Sequence, residues 1–161
     1  MIRVVGIDPG LAGTGVGVVT GNGVTVTGYA FGSVKTDKNE PVHQRLDTIH
    51  SKVSDFITGQ SPDLVIIEDI YSLEKYPGSG IILGKVSGVL LLAACRAGAA
   101  VAEVAVREAK KVVCASGNAD KYQVERSVRN ILQHGERIRP FHASDALALA
   151  LAGFFRYESY L

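Results

Sequence analysis

The stretch RVVGIDPG, Arg3–Gly10, decides how the rest of the chain is read. Val4, Val5, Gly6 and Ile7 suit a strand covered on both faces, where neither set of alternate positions meets water. The run nevertheless ends on Asp8, and Pro9-Gly10 turns the chain out of the sheet at once. A carboxylate at the tip of a buried strand is costly unless a cation or proton compensates it. A second run, DLVIIED at Asp63–Asp69, repeats the pattern and also ends in acids.

Between these runs, TGVGVVT and VTVTGYAFGSV alternate as strands do, and Gly21-Asn22-Gly23 supplies a turn that closes them into a hairpin. From Glu40 to Ile57, Leu46, Ile49, Val53, Phe56 and Ile57 recur at helical spacing. Residues 79–97 read as an almost wholly apolar helix, AAVAEV as a short strand and VREAKKVVCAS as a helix. NADKYQVERSVRNIL follows as a helix capped by Asn118, and HASDALALALAGFF as the last one. This order predicts an α/β fold with a mixed five-stranded sheet, antiparallel at first and then linked by helical crossovers, with helices on both faces.

In such sheets functional groups collect beyond the carboxyl ends of the parallel strands. Asp8 and Glu68 sit at two such ends, and Asp145 is expected in the first turn of the final helix, with His142 three residues earlier on the same face. Asp69, adjacent to Glu68, is expected on the opposite strand face. Crowded carboxylates need cations or raised pKa values, and hard oxygen donors with open positions suit Mg²⁺. Two ions about 3.5–4 Å apart can stabilise both the attacking and the leaving oxygen of a phosphodiester. Spacing alone admits a second reading of equal weight, in which Asp8 caps a turn, Glu68 faces solvent and Asp145 complements the helix dipole.

Composition sets the outer limits. The 161 residues, at 17.1 kDa, fit one domain over 1–161, and 47% hydrophobic with 20% charged residues excludes a disordered chain. The apolar run Val89–Cys95 is far short of the roughly 18 residues a bilayer span needs, so a cytoplasmic protein with no membrane partner is expected. Cys95 and Cys114 show no metal spacing and read as reduced, mostly buried thiols. Net charge is +1, yet Arg107–Arg139 holds eight Lys or Arg against four acids. That basic flank fits a polyanionic partner.

The motifs GIDPGLAGTGVGVV, DLVIIEDIYS, LGKVSGV, KKVVCASGNADKYQV and ASDALALALA, in this order and near these separations, resemble the RuvC family of Holliday-junction resolvases over nearly the whole chain. The resemblance implies a ribonuclease-H-like fold, a homodimer, Mg²⁺ or Mn²⁺ as two ions per site, and paired nicking of four-way DNA junctions in recombination and repair. By motif it makes Asp8, Glu68 and Asp145 catalytic metal ligands, with His142, beside Asp145, read as a fourth ligand or as the group that orients or deprotonates the attacking water, and it leaves a RuvA–RuvB branch-migration motor open as a further partner. His142 stands where many members carry a fourth acid, and imidazole favours Mn²⁺ or other transition metals over Mg²⁺. The resemblance makes Tyr71 a stacking residue at the junction, the alternative being a core aromatic. It places Lys110 and Lys121 near the cut strand, with Arg107 and Lys111 in support. Pro77 and the glycines of SLEKYPGSG depart from the helical stretch expected there, which predicts a junction-facing loop of different shape.

Three other classes are weighed against this. An actin-like ATPase shares the Gly-Ile-Asp strand but needs a second lobe, and GSGIILGK carries Val86 where a phosphate loop needs Ser or Thr. A ribonuclease-H-like nuclease acting on RNA or other branched DNA would use the same metal chemistry. A catalytically silent junction binder would have no use for the intact set of four. Gly80, Gly84 and Gly88 recur every four residues in the apolar helix, predicting a close dimer contact, or alternatively packing on the protein's own sheet.

Overall fold

Strand β1 (Ile2–Asp8) lies at the centre of a five-stranded sheet in the computed structural model, which describes residues 1–70 and 77–161. It pairs antiparallel with β2 (Gly13–Gly21), which pairs antiparallel with β3 (Val26–Lys35). On its other side it runs parallel to β4 (Leu64–Asp69), and β4 to β5 (Ala100–Ala105), giving the order β3-β2-β1-β4-β5. The hairpin turn is held by Asn22, whose side-chain oxygen accepts from the amides of Val24 (3.0 Å) and Thr25 (2.7 Å). Gly23 there adopts φ +90°, a conformation that glycine enters freely.

The double-faced burial read in β1 is realised by two layers of helices. Val5 and Ile7, with Val65 and Ile67 of β4, pack against Ile49, Val53 and Ile57 of α1 (Val42–Gln60) and Val86 and Leu90 of α2 (Pro77–Arg96). Val4, Leu64, Ile66 and Val104 point the other way, against α5 (Phe141–Phe155) and, beyond it, α3 (Val106–Cys114) and α4 (Lys121–Ile131). Each of these buried aliphatic side chains contributes roughly 1.5–3 kcal/mol of transfer free energy.

Helix α5 lies unusually close to the sheet because β1 and β2 present glycine to it. A Cβ built on Gly6 would collide with the backbone of Ala146 and Ala150, one on Gly15 with the carbonyl of His142, and one on Gly17 would stand 3.0 Å from Leu147. Alternating glycines on one strand face thus form a shallow bed, and α5 settles into it. Register brings the start of α5 over the end of β1, since Gly15 is the partner of Asp8.

Several expectations are corrected. The α4 cap is Asp120, not Asn118: its Oδ1 accepts from the amides of Tyr122 and Gln123, both at 2.9 Å, while Gln123 accepts back from the Asp120 amide at 2.8 Å. Asn118 instead accepts from Arg107 Nη2 at 3.2 Å. Helix α5 starts at Phe141, so Asp145 stands in its second turn, where a dipole role fades. Cys95 is exposed and Cys114 half-buried; both are free, but neither is a core thiol. Helix α2 begins at Pro77, so Pro77–Gly80 open the helix, proline being tolerated in a first turn. The remainder of the SLEKYPGSG segment, and Tyr71, fall outside the described residues. Helix α2 is also long and apolar enough, by length and composition, to cross a bilayer. Here its inner face is core, while Ile81, Gly84, Gly88 and Leu92 are exposed on its outer face, and a Cβ on Gly88 would meet nothing within 4 Å. Gly84 and Gly88 therefore do not pack on the protein's own sheet.

One buried acid fixes the segment that leads into α5. Oε1 of Glu125, on α4, accepts from Arg129 Nε and from the Ile138 amide, each at 3.0 Å. Burial alone would raise its pKa, but the Ile138 amide and the Arg129 guanidinium outweigh this and lower it.

Candidate active site

Asp8 is the last residue of β1, and the parallel register that pairs Ile7 with Ile67 brings Glu68 beside it on the next strand. Both face α5, as Gly6 and Ile66 do, because side chains alternate along a strand. Helix α5 delivers His142 and Asp145 from above. His142 Nδ1 lies 2.8 Å from Asp8 Oδ2, the carboxylate being largely buried and the imidazole half-exposed. Lys110 of α3 shares a small crevice with Glu68 and Asp145, floored by Ala109, Ala148 and Leu149. The four predicted acid and imidazole groups are thus brought together, with one lysine beside them.

Their electrostatics are those of a site short of positive charge. Burial, then the Asp8 carboxylate and a proton shared with it, raise the Glu68 pKa from 4.5 to about 8, against the pull of Lys110. Burial and Asp8 likewise raise Asp145 from 3.8 to about 6, against His142 and Lys110. His142 is raised chiefly by its hydrogen bond to Asp8, with burial opposing. In the metal-free chain these protons substitute for a cation.

A divalent ion fits this donor set. The three carboxylates and one imidazole supply hard oxygen ligands and one nitrogen. Ser33 Oγ, buried without a hydrogen-bond partner, lies 3.7 Å from the point beside Gly13 that His142 Cδ2 approaches to 3.5 Å. Among the described residues no three such side chains already stand in metal-ligand geometry. His142 Nδ1 is engaged with Asp8, which leaves Nε2 as the nitrogen open to an ion.

The protonation states carry a stability prediction. Between their ordinary and raised pKa values, Glu68 and Asp145 hold protons in the folded chain that the unfolded chain has lost, so stability falls as pH rises. The His142 contribution has the same sign, being present below pH 6.5 and lost as pH rises through its raised pKa. Glu125 has the opposite sign but acts below its ordinary 4.5. Thermal melts in chelator are therefore expected to fall from pH 5.5 to pH 8.5, and Mn²⁺ is expected to flatten that slope. A melting temperature that rises with pH in chelator would contradict the assignment.

The predicted basic residues fall in three places. Lys110 belongs to the acid cluster. Lys121 is exposed, its Nζ 4.9 Å from the Phe141 ring centre and 5.5 Å from that of Tyr122. Arg107 is tied to Asn118, and Lys111 packs along Gly117, so these two sit at the α3–α4 junction. The sequence reading missed Phe141, which packs edge-on to Tyr122 at 5.2 Å and carries the Arg139 guanidinium at 4.1 Å. Its signal was present in the adjacent pairs Lys121-Tyr122 and Phe141-His142.

The chain is similar to known proteins over nearly its whole length. The family model described as crossover junction endodeoxyribonuclease RuvC matches residues 4–153. The crossover junction endodeoxyribonuclease RuvC of Erythrobacter litoralis is 37% identical over 152 residues, covering 94% of this chain and 92% of that protein. The solved structure of Thermus thermophilus RuvC superposes with a TM-score of 0.83 at 32% identity, over 99% of this chain and 98% of that one. T. thermophilus RuvC in complex with Holliday junction substrate gives a TM-score of 0.88 at 31% identity, over 99% and 96% of the two chains. The mixed sheet with helices on both faces is the ribonuclease-H-like fold of those structures, and the chain belongs to the crossover junction endodeoxyribonuclease RuvC family.

Proposed function

We propose that this chain is a divalent-metal-dependent endonuclease that resolves Holliday junctions by paired nicking. The convergence of Asp8, Glu68, His142 and Asp145 carries the reading, together with the rise of the Glu68 pKa to about 8, since such a group is built to be relieved by cations. Asp8, Glu68, Asp145 and His142 would hold two ions, Mg²⁺ or Mn²⁺. Bound there, the ions supply charge neutralisation for the attacked phosphodiester and activation of water at neutral pH. Asp8 orients the His142 ring through Nδ1, leaving Nε2 turned toward Gly13 and the open rim. Lys110 lowers the proton affinity of both Glu68 and Asp145 and so keeps them available as ligands.

A homodimer fits the exposed outer face of α2, where Ile81 is 64% and Leu92 45% exposed beside two glycines that allow close approach. Two copies related by a twofold axis would present two clusters to the two matching strands of a junction. Tyr71, three residues beyond Glu68, is proposed to stack on an unpaired base there. A cytoplasmic location and delivery by a RuvA–RuvB motor complete the reading.

The two lysines are expected to behave differently. Lys121→Ala should weaken junction binding and reduce the salt slope by about 0.9, one phosphate contact. Lys110→Ala should leave binding nearer to wild type but depress nicking at neutral pH, with recovery as pH is raised. Identical effects of the two variants would contradict this division. Substrate class is tested by competition: nicking of a labelled four-way junction challenged with unlabelled junction, linear duplex or RNA–DNA hybrid. Only the junction should compete efficiently; equal competition by the hybrid would overturn the proposal.

A further inference from the structure

Beyond the acid cluster, α4 and the segment entering α5 enclose a crevice of about 250 Å³ lined by Tyr122, Glu125, Arg126, Arg129, Arg137 and Arg139. Four guanidiniums face one carboxylate. Glu125 is 5% exposed and its Oε1 is already engaged by Arg129 and by the Ile138 amide, so it neutralises Arg129 and fixes the wall on which Arg137 and Arg139 stand. Among the described residues, Arg126, Arg137 and Arg139 form no salt bridge and all three are exposed, although Arg139 Nη1 donates to the Ile138 carbonyl at 2.8 Å and its charge helps to lower the Glu125 pKa. Like charges gathered around a concavity repel one another, and an anion relieves the repulsion. Guanidinium forks match phosphate oxygens two at a time.

Phe141 stands between the crevice and the active site along the chain. Arg139 lies on one side of Phe141, Lys121 approaches the same ring, and the next residue is His142. The three Cα–Cα steps from Arg139 to His142 span at most about 11 Å. A nucleic acid strand rises about 3.4 Å per nucleotide, so this reach corresponds to roughly two or three nucleotides. We propose that the crevice is a second anion site, taking a phosphodiester of the cut strand two or three nucleotides from the scissile one. Arg126, Arg137 and Arg139 are its donors, while Arg129 is a positioning residue held by Glu125. The inference rests on the reading of the chain as a DNA-cutting enzyme, and it explains arginines that the metal chemistry leaves unused.

The test uses the full chain and junctions in which single phosphates, up to four nucleotides on either side of the cut, are replaced by neutral methylphosphonates. Binding is measured in Ca²⁺, without reading cleavage. Wild-type protein should lose affinity several-fold when a phosphate two or three nucleotides away is neutralised. The double variant Arg126→Gln/Arg137→Gln should already be weaker on the unmodified junction, with a salt slope lower by about 1.8 for two contacts. It should lose little more at that one position, while responding like wild type at the others. An unchanged salt slope, or equal losses for both proteins at every position, would overturn the proposal. Junction binding without cutting in Mg²⁺ or Mn²⁺ would instead overturn the functional reading and leave the crevice result intact.

Discussion

Asp8→Asn is expected to abolish junction nicking, by on the order of 10³-fold or more, while junction binding persists. The substitution keeps the size of the side chain and removes the charge around which the site is arranged. Asp8 is the main neighbouring charge raising both Glu68 and Asp145, and it accepts or shares the hydrogen bond that raises His142. Burial, the largest cause of the shift, remains in the variant, so the Glu68 pKa should fall from about 8 yet stay above its ordinary value, a change visible by NMR titration of the carboxyl carbon. Near-normal cutting, or a Glu68 titration that stays near 8, would mean that the acids do not form one unit.

Gly15→Ala is expected to be the most damaging single methyl that can be added to the sheet. The new Cβ would run into the His142 carbonyl, which belongs to the backbone of α5 and cannot rotate away. Overpacking of this kind costs roughly 3 kcal/mol or more, corresponding to a fall of about 6–12 °C in melting temperature for a chain of this size. Whatever fold survives must lift His142 and Asp145 away from Asp8, so activity should fall further than stability does. Gly28→Ala is the matched control, because a Cβ there meets nothing within 4 Å. Its melting temperature should stay near that of wild type or rise slightly, and an equal loss in both variants would dissociate the damage from α5 docking.

The glycines show where sequence reading stopped. Val4–Ile7 declared a strand buried on both faces because every side chain in it is apolar or absent, and that property belongs to the strand itself. Gly13, Gly15 and Gly17 were equally visible as alternation, but their purpose depends on α5, which lies more than a hundred residues away. The acids were found because strand ends and helix faces are local features, and converging them required only the topology. The distinction between Lys110 and Lys121 was not local. One points into the acid crevice and the other onto Phe141, a difference created by the packing of α3 and α4 against α5. Asn118 and Asp120 are both good caps, and the Gln123 side chain three residues beyond Asp120 decides between them. The exposure of Cys95 follows from which face of an apolar helix is turned outward, and apolarity all round hides that choice.

If these four side chains cut junction DNA through bound divalent ions, cutting must follow the ions while binding does not. Wild-type protein is incubated with a four-way junction labelled on all strands, in chelator and then with Mg²⁺ or Mn²⁺ restored. Binding without cuts is expected in chelator, and paired nicks at symmetry-related positions once either ion is added. Nicks made in chelator, or a bound junction left whole with both ions present, would contradict metal-dependent cutting.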